Sequence, residues 1–454
     1  MTPQDIKSVH ITNYYHKNSG GISTSFNNLL AAAGRHQRHV RLIVPGEVET
    51  IEEVNEFAKI YYVPAKYSPV FDKRYRVMMP WHYMRSESPI RKILLAEMPD
   101  IIEVTDKYTL SLIGAMIRTN NFKRLGRPIL VHFSCERMDD NVESFLLGGS
   151  IGRWLSRRIV GNYLMPSFDF HIANSEYTAE EFRQSTLPAS NDRRLKFFFN
   201  KCWQWLKSPR IDLSQRIIVC PRGVDSVLFT PDRRSEKIRV DMCRRASIPE
   251  SSVVMLYAGR ISPEKNIGLL VDTMKELTKD ATRDFRLIVA GAGPLSDELR
   301  ERSTREADGR IIQIGHLEKK TLADFYANAD VFVHPNPKEP FGIAPLEAMA
   351  SGVPTVAPNS GGILSYATES NAWLTEPNGP AFAKAILRVL DDDPERLRKV
   401  TEAVATARAN TREIATDRLF DAYDRIFEVF HTEPELFTDV AASHSFDYTV
   451  LLDD

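Results

Sequence analysis

Apolar residues along this chain fall into short clusters separated by longer stretches of helical period. Val9–Tyr14, Val40–Val44, Ile101–Val104, Ile129–Phe133, Phe170–Ala173 and Ile217–Val219 read as strands, and helical patterns lie between several of them. The first strand runs through Gly20-Gly21 into a helix reaching about Ala33, with Gly34 suited to its C-terminal cap. The pattern then restarts with Val253–Ala258, Arg286–Ala290, Ile311–Ile314, Val331–His334 and Thr355–Ala357, interleaved with helices such as Leu269–Thr278 and Leu322–Asn328. Strands alternating with helices predict doubly wound parallel sheets, and two such series predict two Rossmann-like domains facing a cleft. Residues 380–432 carry two apolar stripes of helical spacing. Phe382, Ile386, Val389 and Leu390 form one, and Leu419, Tyr423, Ile426, Phe427 and Phe430 the other. The acidic stretch after Glu433 shows no comparable period and is expected to be irregular.

Composition narrows the class. A chain of 454 residues exceeds one hydrophobic core, which agrees with two domains. A formal net charge of −1 argues against a nucleic-acid partner. Cys135, Cys202, Cys220 and Cys243 have no paired spacing, so neither a disulfide framework nor a zinc site is indicated and a reducing, cytoplasmic setting is expected. No apolar run is long enough to span a bilayer, and no export signal is visible at the start.

The most informative segment is Glu339-Pro-Phe-Gly-Ile-Ala-Pro-Leu-Glu347. Pro340 and Gly342 keep Glu339 off a helix, whereas Pro345 suits the first position of one, where its missing N–H is harmless. Glu347 then falls on the first turn, and Gly352-Val-Pro354 ends the helix. Free N–H groups near Phe341, Gly342, Ile343 and Ala344 make an anion cradle with a carboxylate on each side. A ligand with hydroxyls on both sides of a phosphate fits, and a nucleotide-sugar is one. Arg260 and Lys265, on the loop after the strand 253–258 and beside Gly259, can converge on a diphosphate and offset charge on a leaving group. Gly20 and Gly21 allow a close backbone approach at another helix start.

These motifs resemble those of the retaining GT-B glycosyltransferases, family 4, whose E-x7-E pattern is met in full by Glu339 and Glu347 and whose G-R-x-x-x-x-K signature matches Gly259, Arg260 and Lys265. The resemblance implies a GT-B fold and metal-independent, retaining transfer of a hexose from a UDP- or GDP-linked donor to a sugar, glycolipid or polysaccharide-precursor hydroxyl, without a cofactor. It implies an acceptor domain at 1–228, a nucleotide-sugar domain at 229–410, a helix at 411–435 crossing back to the first domain, and a tail at 436–454. It further implies that His132 contacts the transferred sugar and that His316 lies by the base. Glu136, Arg137 and Asp139, a polar cluster just after His132, are the candidates to read the acceptor, on their own chemistry rather than on the resemblance, whose H-x-x-H variants the local sequence does not follow. Pro221-Arg-Gly-Val-Asp225 resembles the stretch at the domain junction, with Arg222 where the family holds Asn. His132, Arg260, Lys265 and Glu339 are the expected catalytic set. Gly20, Gly21, Gly259, Arg260, Lys265, His316, Glu339, Phe341, Gly342, Ile343 and Glu347 are the expected donor contacts.

Other readings stay open: a nucleotide-sugar epimerase or phosphorylase on the same fold, or a non-catalytic sugar-nucleotide-binding subunit. Gly291-Ala-Gly293 lacks the third glycine of a dinucleotide fingerprint. The segment Arg193–Lys207 mixes basic residues with Phe197, Phe198, Phe199, Trp203 and Trp205 and contains no acid. Such a helix suits either the inner face of a membrane or ordinary packing on the first domain.

Overall fold

The computed structural model describes residues 3–16, 21–68, 75–145, 149–438 and 440–452. It divides into two compact units, one of Met1–Pro221 with Thr416–Asp454, the other of Arg222–Ala415. Residues 222–228 belong with the second unit for a physical reason. The Val224 N–H donates to the Asn410 carbonyl at 3.0 Å, the Arg412 N–H to the Val224 carbonyl at 2.9 Å, and a Cβ on Gly223 would sit 2.1 Å from the Thr411 oxygen. Glycine is required at 223 for this backbone pairing.

The first unit is built on an eight-stranded sheet of β1 (Lys7–Ile11), β2 (His39–Gly46), β3 (Thr50–Asn55), β4 (Ala58–Pro64), β5 (Ile101–Val104), β6 (Ile129–Ser134), β7 (Phe170–Ala173) and β8 (Ile217–Val219), in the order β3-β4-β2-β1-β5-β6-β7-β8. Every pairing is parallel except the β3–β4 hairpin. That hairpin is absent from the sequence reading because β3 is a solvated edge, held off further pairing by Glu52 and Glu53. The second unit carries β9 (Val253–Ala258), β10 (Phe285–Ala290), β11 (Ile311–Gly315), β12 (Val331–Val333), β13 (Thr355–Pro358) and β14 (Trp373–Thr375), all parallel, in the order β11-β10-β9-β12-β13-β14. In each sheet the strand order reverses beside the first strand, between β1 and β5 and between β9 and β12. Crevices for ligands open at the carboxyl ends of strands at such reversals.

Both helical stripes at the C-terminal end are buried. Phe382, Ile386 and Val389 of the Gly379–Asp391 helix join the second unit's core, while Phe420, Tyr423, Ile426 and Phe430 of the Arg412–Thr432 helix join Phe26, Leu29 and Leu30 in the first. The first helix runs Gly21–His36, so Gly34 lies within it rather than capping it. The left-handed residue is Gln37, with φ 51°.

The segment expected to be an interfacial or surface helix is the Arg193–Trp205 helix, which buries Phe199 and Trp203 and leaves Phe197, Phe198 and Trp205 exposed. Trp203 stacks on Phe199 with ring centroids 4.6 Å apart, and its indole N–H donates to the Gly161 carbonyl at 2.9 Å. The stretch after Glu433 is not irregular. It forms short helices at Glu435–Thr438 and Val440–Ser445 and a 3-10 turn at Tyr448–Leu452. Tyr448 is fully buried, with its ring 5.7 Å from Trp203 and its hydroxyl donating to the Ser208 carbonyl. Among the described residues Phe437, Tyr448 and Leu451 are the buried apolar side chains here, too few to raise a periodic signal. Tyr448→Ala should therefore destabilise the first unit by about 3–5 kcal/mol, as emptying a large aromatic site does. Chemical denaturation followed by near-UV circular dichroism checks this, and an unchanged midpoint would contradict it.

Candidate functional site

The second unit's site forms where its strand order reverses. β9 delivers the loop Gly259–Lys265, and β12 delivers His334 through Glu339. Lys265 Nζ lies 2.7 Å from Glu339 Oε2, which also accepts from Asn336 Nδ2 at 2.9 Å and has His334 Nε2 at 3.9 Å. Burial alone would raise the pKa of Glu339, but Lys265, His334 and Asn336 together bring it down to about 2. The acid is thus firmly ionised. Burial lowers His334 to about 4 against the pull of Glu339, so it is a neutral imidazole at physiological pH.

Glycines shape both loops by letting backbones meet. A Cβ on Gly291 would lie 1.8 Å from the Gly259 oxygen, and one on Gly293 would lie 2.1 Å from that of Ile261. The pair that failed as a dinucleotide fingerprint thus braces the Arg260 loop. On the other side, Gly362 donates its N–H to the Glu339 carbonyl at 2.6 Å, and a Cβ there would fall 1.9 Å from the Pro340 oxygen.

Gly342, left-handed at φ 84°, starts the Ile343–Ala350 helix. The helix therefore begins two residues ahead of Pro345, and Glu347 sits at its fifth position rather than on the first turn. Pro345 is tolerated because no N–H in the first turn has an intrahelical acceptor. Among the described residues no side chain caps this end and no acid lies in its first turn, so its N–H groups and dipole are open to an anion. The Tyr366 hydroxyl pins the loop by donating to the Gly342 carbonyl. Glu347 is the electrostatic opposite of Glu339. Burial pushes its pKa up to about 8, opposed only in part by the Tyr326 hydroxyl at 3.3 Å and by Lys319. Glu339 is held charged by Lys265 and hydrogen-bonded by Asn336. Glu347 has the Tyr326 hydroxyl at 3.3 Å and the weaker pull of Lys319.

The expected donor residues are distributed as follows. Lys265, Glu339, Gly342 and Ile343 are brought together around the loop and helix start, with Glu347 one turn in. Gly259 and Arg260 lie on the same loop as Lys265, where the Tyr257 hydroxyl fixes the Arg260 carbonyl at 2.9 Å. The Phe341 side chain is buried against Tyr366, ring centroids 5.3 Å apart, so only its backbone is available. His316 is exposed just beyond β11. His334, Asn336, Tyr326 and Tyr366 escaped the sequence reading. The signal for the first two was their position at the carboxyl end of a strand, immediately before Glu339.

In the first unit, Gly20 lies outside the described residues, and Gly21 opens the first helix. His132, expected to touch the sugar, occupies the interior instead. It is fully buried among Phe168, His171 and Phe182, both ring nitrogens lack partners among the described residues, and burial lowers its pKa. Arg137 and Asp139 bind each other at 2.9 and 2.7 Å, and Asp139 also takes Arg157, so neither is unoccupied. Glu136 differs. It is part-exposed, accepts from Tyr14 Oη and Asn141 Nδ2 at 2.8 Å each, and its pKa is raised by burial despite nearby Lys107. Lys107 is itself consumed by a buried pair with Glu181 and by the Glu136 carbonyl. Asn13 and Asp106 lie at the reversal between β1 and β5, where Asn13 Nδ2 donates to Thr109 Oγ1 at 2.9 Å.

The raised pKa of Glu347 predicts a stability signature. A carboxyl whose folded pKa exceeds its unfolded value stabilises the chain at low pH, and that stability is lost as pH rises to the folded pKa. Glu347→Gln should therefore raise the Tm of the ligand-free chain by roughly a few degrees. The gain should grow from pH 4.5 to about 8 and then level off. Thermal melts across that range check it, and a pH-independent difference would contradict the assigned environment.

Residues 242–406 match the family model of glycosyl transferases group 1. The chain is 28% identical over 399 residues to the GDP-mannose-dependent alpha-(1-6)-phosphatidylinositol dimannoside mannosyltransferase of Mycobacterium tuberculosis, covering 87% of this chain and 90% of that one. It is 31% identical over 204 residues to the D-inositol 3-phosphate glycosyltransferase of Corynebacterium efficiens, covering 42% of this chain and about half (47%) of that one. Among solved structures, Anabaena HepE in complex with UDP and glucose superimposes with a TM-score of 0.65 at 17% identity, covering 92% of this chain and 99% of that one. Sucrose-phosphate synthase from Thermosynechococcus elongatus does so with a TM-score of 0.68 at 17% identity, covering 93% and 100%. The two parallel-sheet units and this likeness show the GT-B fold, and the match of residues 242–406 to glycosyl transferases group 1, with the glycosyltransferase relatives, supports a glycosyltransferase.

Proposed function

We propose that this glycosyltransferase moves a hexose, with retention and without a metal, from a nucleoside-diphosphate sugar to a hydroxyl of a sugar- or lipid-linked acceptor. The observation that carries the reading is the pair of oppositely tuned glutamates on either side of an uncapped helix start, with Lys265 and Arg260 on the facing loop. In this reading the diphosphate takes the helix N–H groups and the two cations, which offset the charge that grows on the leaving group. Glu347 accepts from the ribose hydroxyls. Glu339, held ionised, accepts from the hexose hydroxyls and favours the positive character at the anomeric carbon. With no nucleophile assigned, the departing phosphate assists deprotonation of the acceptor on the same face of the sugar. Glu136, with Tyr14 and Asn141, is proposed to bind acceptor hydroxyls in the first unit.

The mannosyltransferase relative, which spans most of the chain, favours GDP-mannose and an inositol-bearing lipid as the first donor and acceptor to try. A thermal-shift panel of GDP, UDP and ADP with their sugars identifies the donor, because a bound ligand raises apparent stability with affinity. Anomeric proton NMR of the product then reads the stereochemistry. Epimerised sugar formed without acceptor would favour the epimerase reading instead.

Arg260→Ala and Lys265→Ala should each lower turnover by about two orders of magnitude, the usual effect of losing one pre-set electrostatic donor. Near-wild-type turnover in both would remove the diphosphate assignment. The two acids should fail differently. Glu347→Gln should raise the donor KM more than it lowers kcat, since its contact exists in ground and transition states alike. Glu339→Gln should depress kcat and leave affinity for the bare nucleoside diphosphate close to wild type. Calorimetric titration with diphosphate beside steady-state kinetics separates the two. Weak diphosphate binding with normal turnover in Glu339→Gln would reverse the roles.

A further inference from the structure

The Ser150–Ile159 helix of the first unit is turned inside out. Ile151, Trp154, Leu155 and Ile159 recur at the spacing of one helical face, yet all four are exposed, at 71, 55, 41 and 39%. The face that packs inward carries the small residues Gly152 and Ser156. An apolar stripe of this period normally faces the core. Leu187, 57% exposed on the adjoining Glu176–Asn191 helix, extends the apolar surface.

Arg158 lies seven positions after Ile151, on that same outward stripe. An open depression of about 370 Å³ is lined by Glu143, Arg153, Trp154, Arg157, Arg158 and Pro188. Of its three arginines, Arg153 pairs with Glu143 at 2.6 Å, and Arg157 pairs with Asp139 at 3.2 Å and with Gln184. Arg158 has no acid. Its Nε and Nη1 are buried without a hydrogen-bond partner among the described residues, and its one bond is a long 3.4 Å contact to the Ser185 carbonyl. Burial also lowers its pKa, as befits a cation without a counter-charge. A half-buried guanidinium lining an open depression in this way is a forked donor for a planar or tetrahedral oxyanion.

We propose that this face docks on an anionic phospholipid bilayer, with Ile151, Trp154, Leu155 and Leu187 in the headgroup–acyl boundary and the Arg158 guanidinium on a lipid phosphate. Exposed apolar side chains beside an unneutralised cation are complementary to such a surface and to little else in water. No helix among the described residues is long and apolar enough to cross a membrane, so attachment would be peripheral. The Arg193–Trp205 helix, seated on Gly161 just beyond this stripe, presents Phe197, Phe198 and Trp205 with Arg193, Arg194 and Lys201 outward and offers a second contact. The proposal stands apart from the assignment of sugar transfer, because none of its residues is among those assigned to donor or acceptor.

The test is sedimentation of the full chain with vesicles of phosphatidylcholine alone and of phosphatidylcholine with phosphatidylglycerol. The wild type should bind the anionic vesicles and release as salt rises, since lipid charge is screened within a Debye length. Ile151→Ser/Trp154→Ser/Leu155→Ser should lose at least about tenfold in partition while keeping its melting temperature, because apolar area drives interfacial binding. Arg158→Gln should lose the preference for anionic over zwitterionic vesicles. The triple variant should stay active on a water-soluble acceptor, which separates this outcome from failure of the catalytic reading. Equal binding by wild type and triple variant would overturn the proposal, as would loss confined to Phe197→Ser/Phe198→Ser/Trp205→Ser. Saturable stabilisation by inorganic phosphate that Arg158→Gln abolishes, without any vesicle binding, would reassign the pocket to a soluble anion.

Discussion

A parallel sheet that reverses its strand order leaves a gap at its carboxyl edge, because the connections on either side of the reversal run to opposite faces. In the second unit that gap lies between β9 and β12, and the Lys265–Glu339 ion pair bridges the loops leaving those two strands. The pair is part-buried, so each partner depends on the other to keep its charge away from bulk water. Its geometry is fixed less by side chains than by backbone contact. Gly291 and Gly293 admit the Arg260 loop, and Gly361 and Gly362 admit the Glu339 loop, so the two charged loops are held by four positions with no side chain to give.

From this follows the contrast between the two glutamates. Glu339 and Glu347 belong to one loop and helix, yet their pKa values move in opposite directions. The cause is partner supply. Lys265, Asn336 and His334 converge on Glu339, whereas Glu347 has a tyrosine hydroxyl at 3.3 Å and the weaker pull of Lys319. Pairs of acids pushed apart by their surroundings mark sites where two chemical tasks are divided. Such a division is costly in the empty protein. A buried, under-partnered carboxylate destabilises the fold, and retaining it makes sense only where a ligand completes its hydrogen bonds.

The site in the second unit was legible in the sequence because its chemistry is nearly continuous along the chain. Gly342 and the two glutamates place the loop, the helix and both acids within nine residues, so little tertiary information is needed, although Pro345 set the expected helix start two residues late. His132 shows the opposite case. Every residue of β6 is buried, as expected for a strand covered on both faces, and so its pattern does not say which way the imidazole points. Its surroundings, Phe168, His171 and Phe182, arrive from remote stretches of chain. Arg137 and Asp139 were likewise visible as charged residues, but their mutual pairing was not, because a turn geometry rather than a spacing rule brings them together. The hairpin at 50–64 and the packed end at Tyr448 were lost for lack of length: too few buried positions to make a period.

The Ser150–Ile159 helix marks a further limit of pattern reading, since periodicity gives the existence of an apolar face but not its direction. Here the direction is set by what lies beneath. Gly152 and Ser156 let the helix pack closely on the first unit, and close packing by small residues leaves no inner room for Ile151, Trp154 or Leu155. Retaining large apolar side chains on the outer face lowers solubility without adding to the core. A cation placed among them and denied an acid restricts which surface can cover them, because an apolar partner would leave Arg158 buried and unpaired while an anionic one would not. The second unit's site and this face thus share one physical device. Each leaves a buried polar group incomplete in the isolated chain, so that a ligand of defined charge has something to finish.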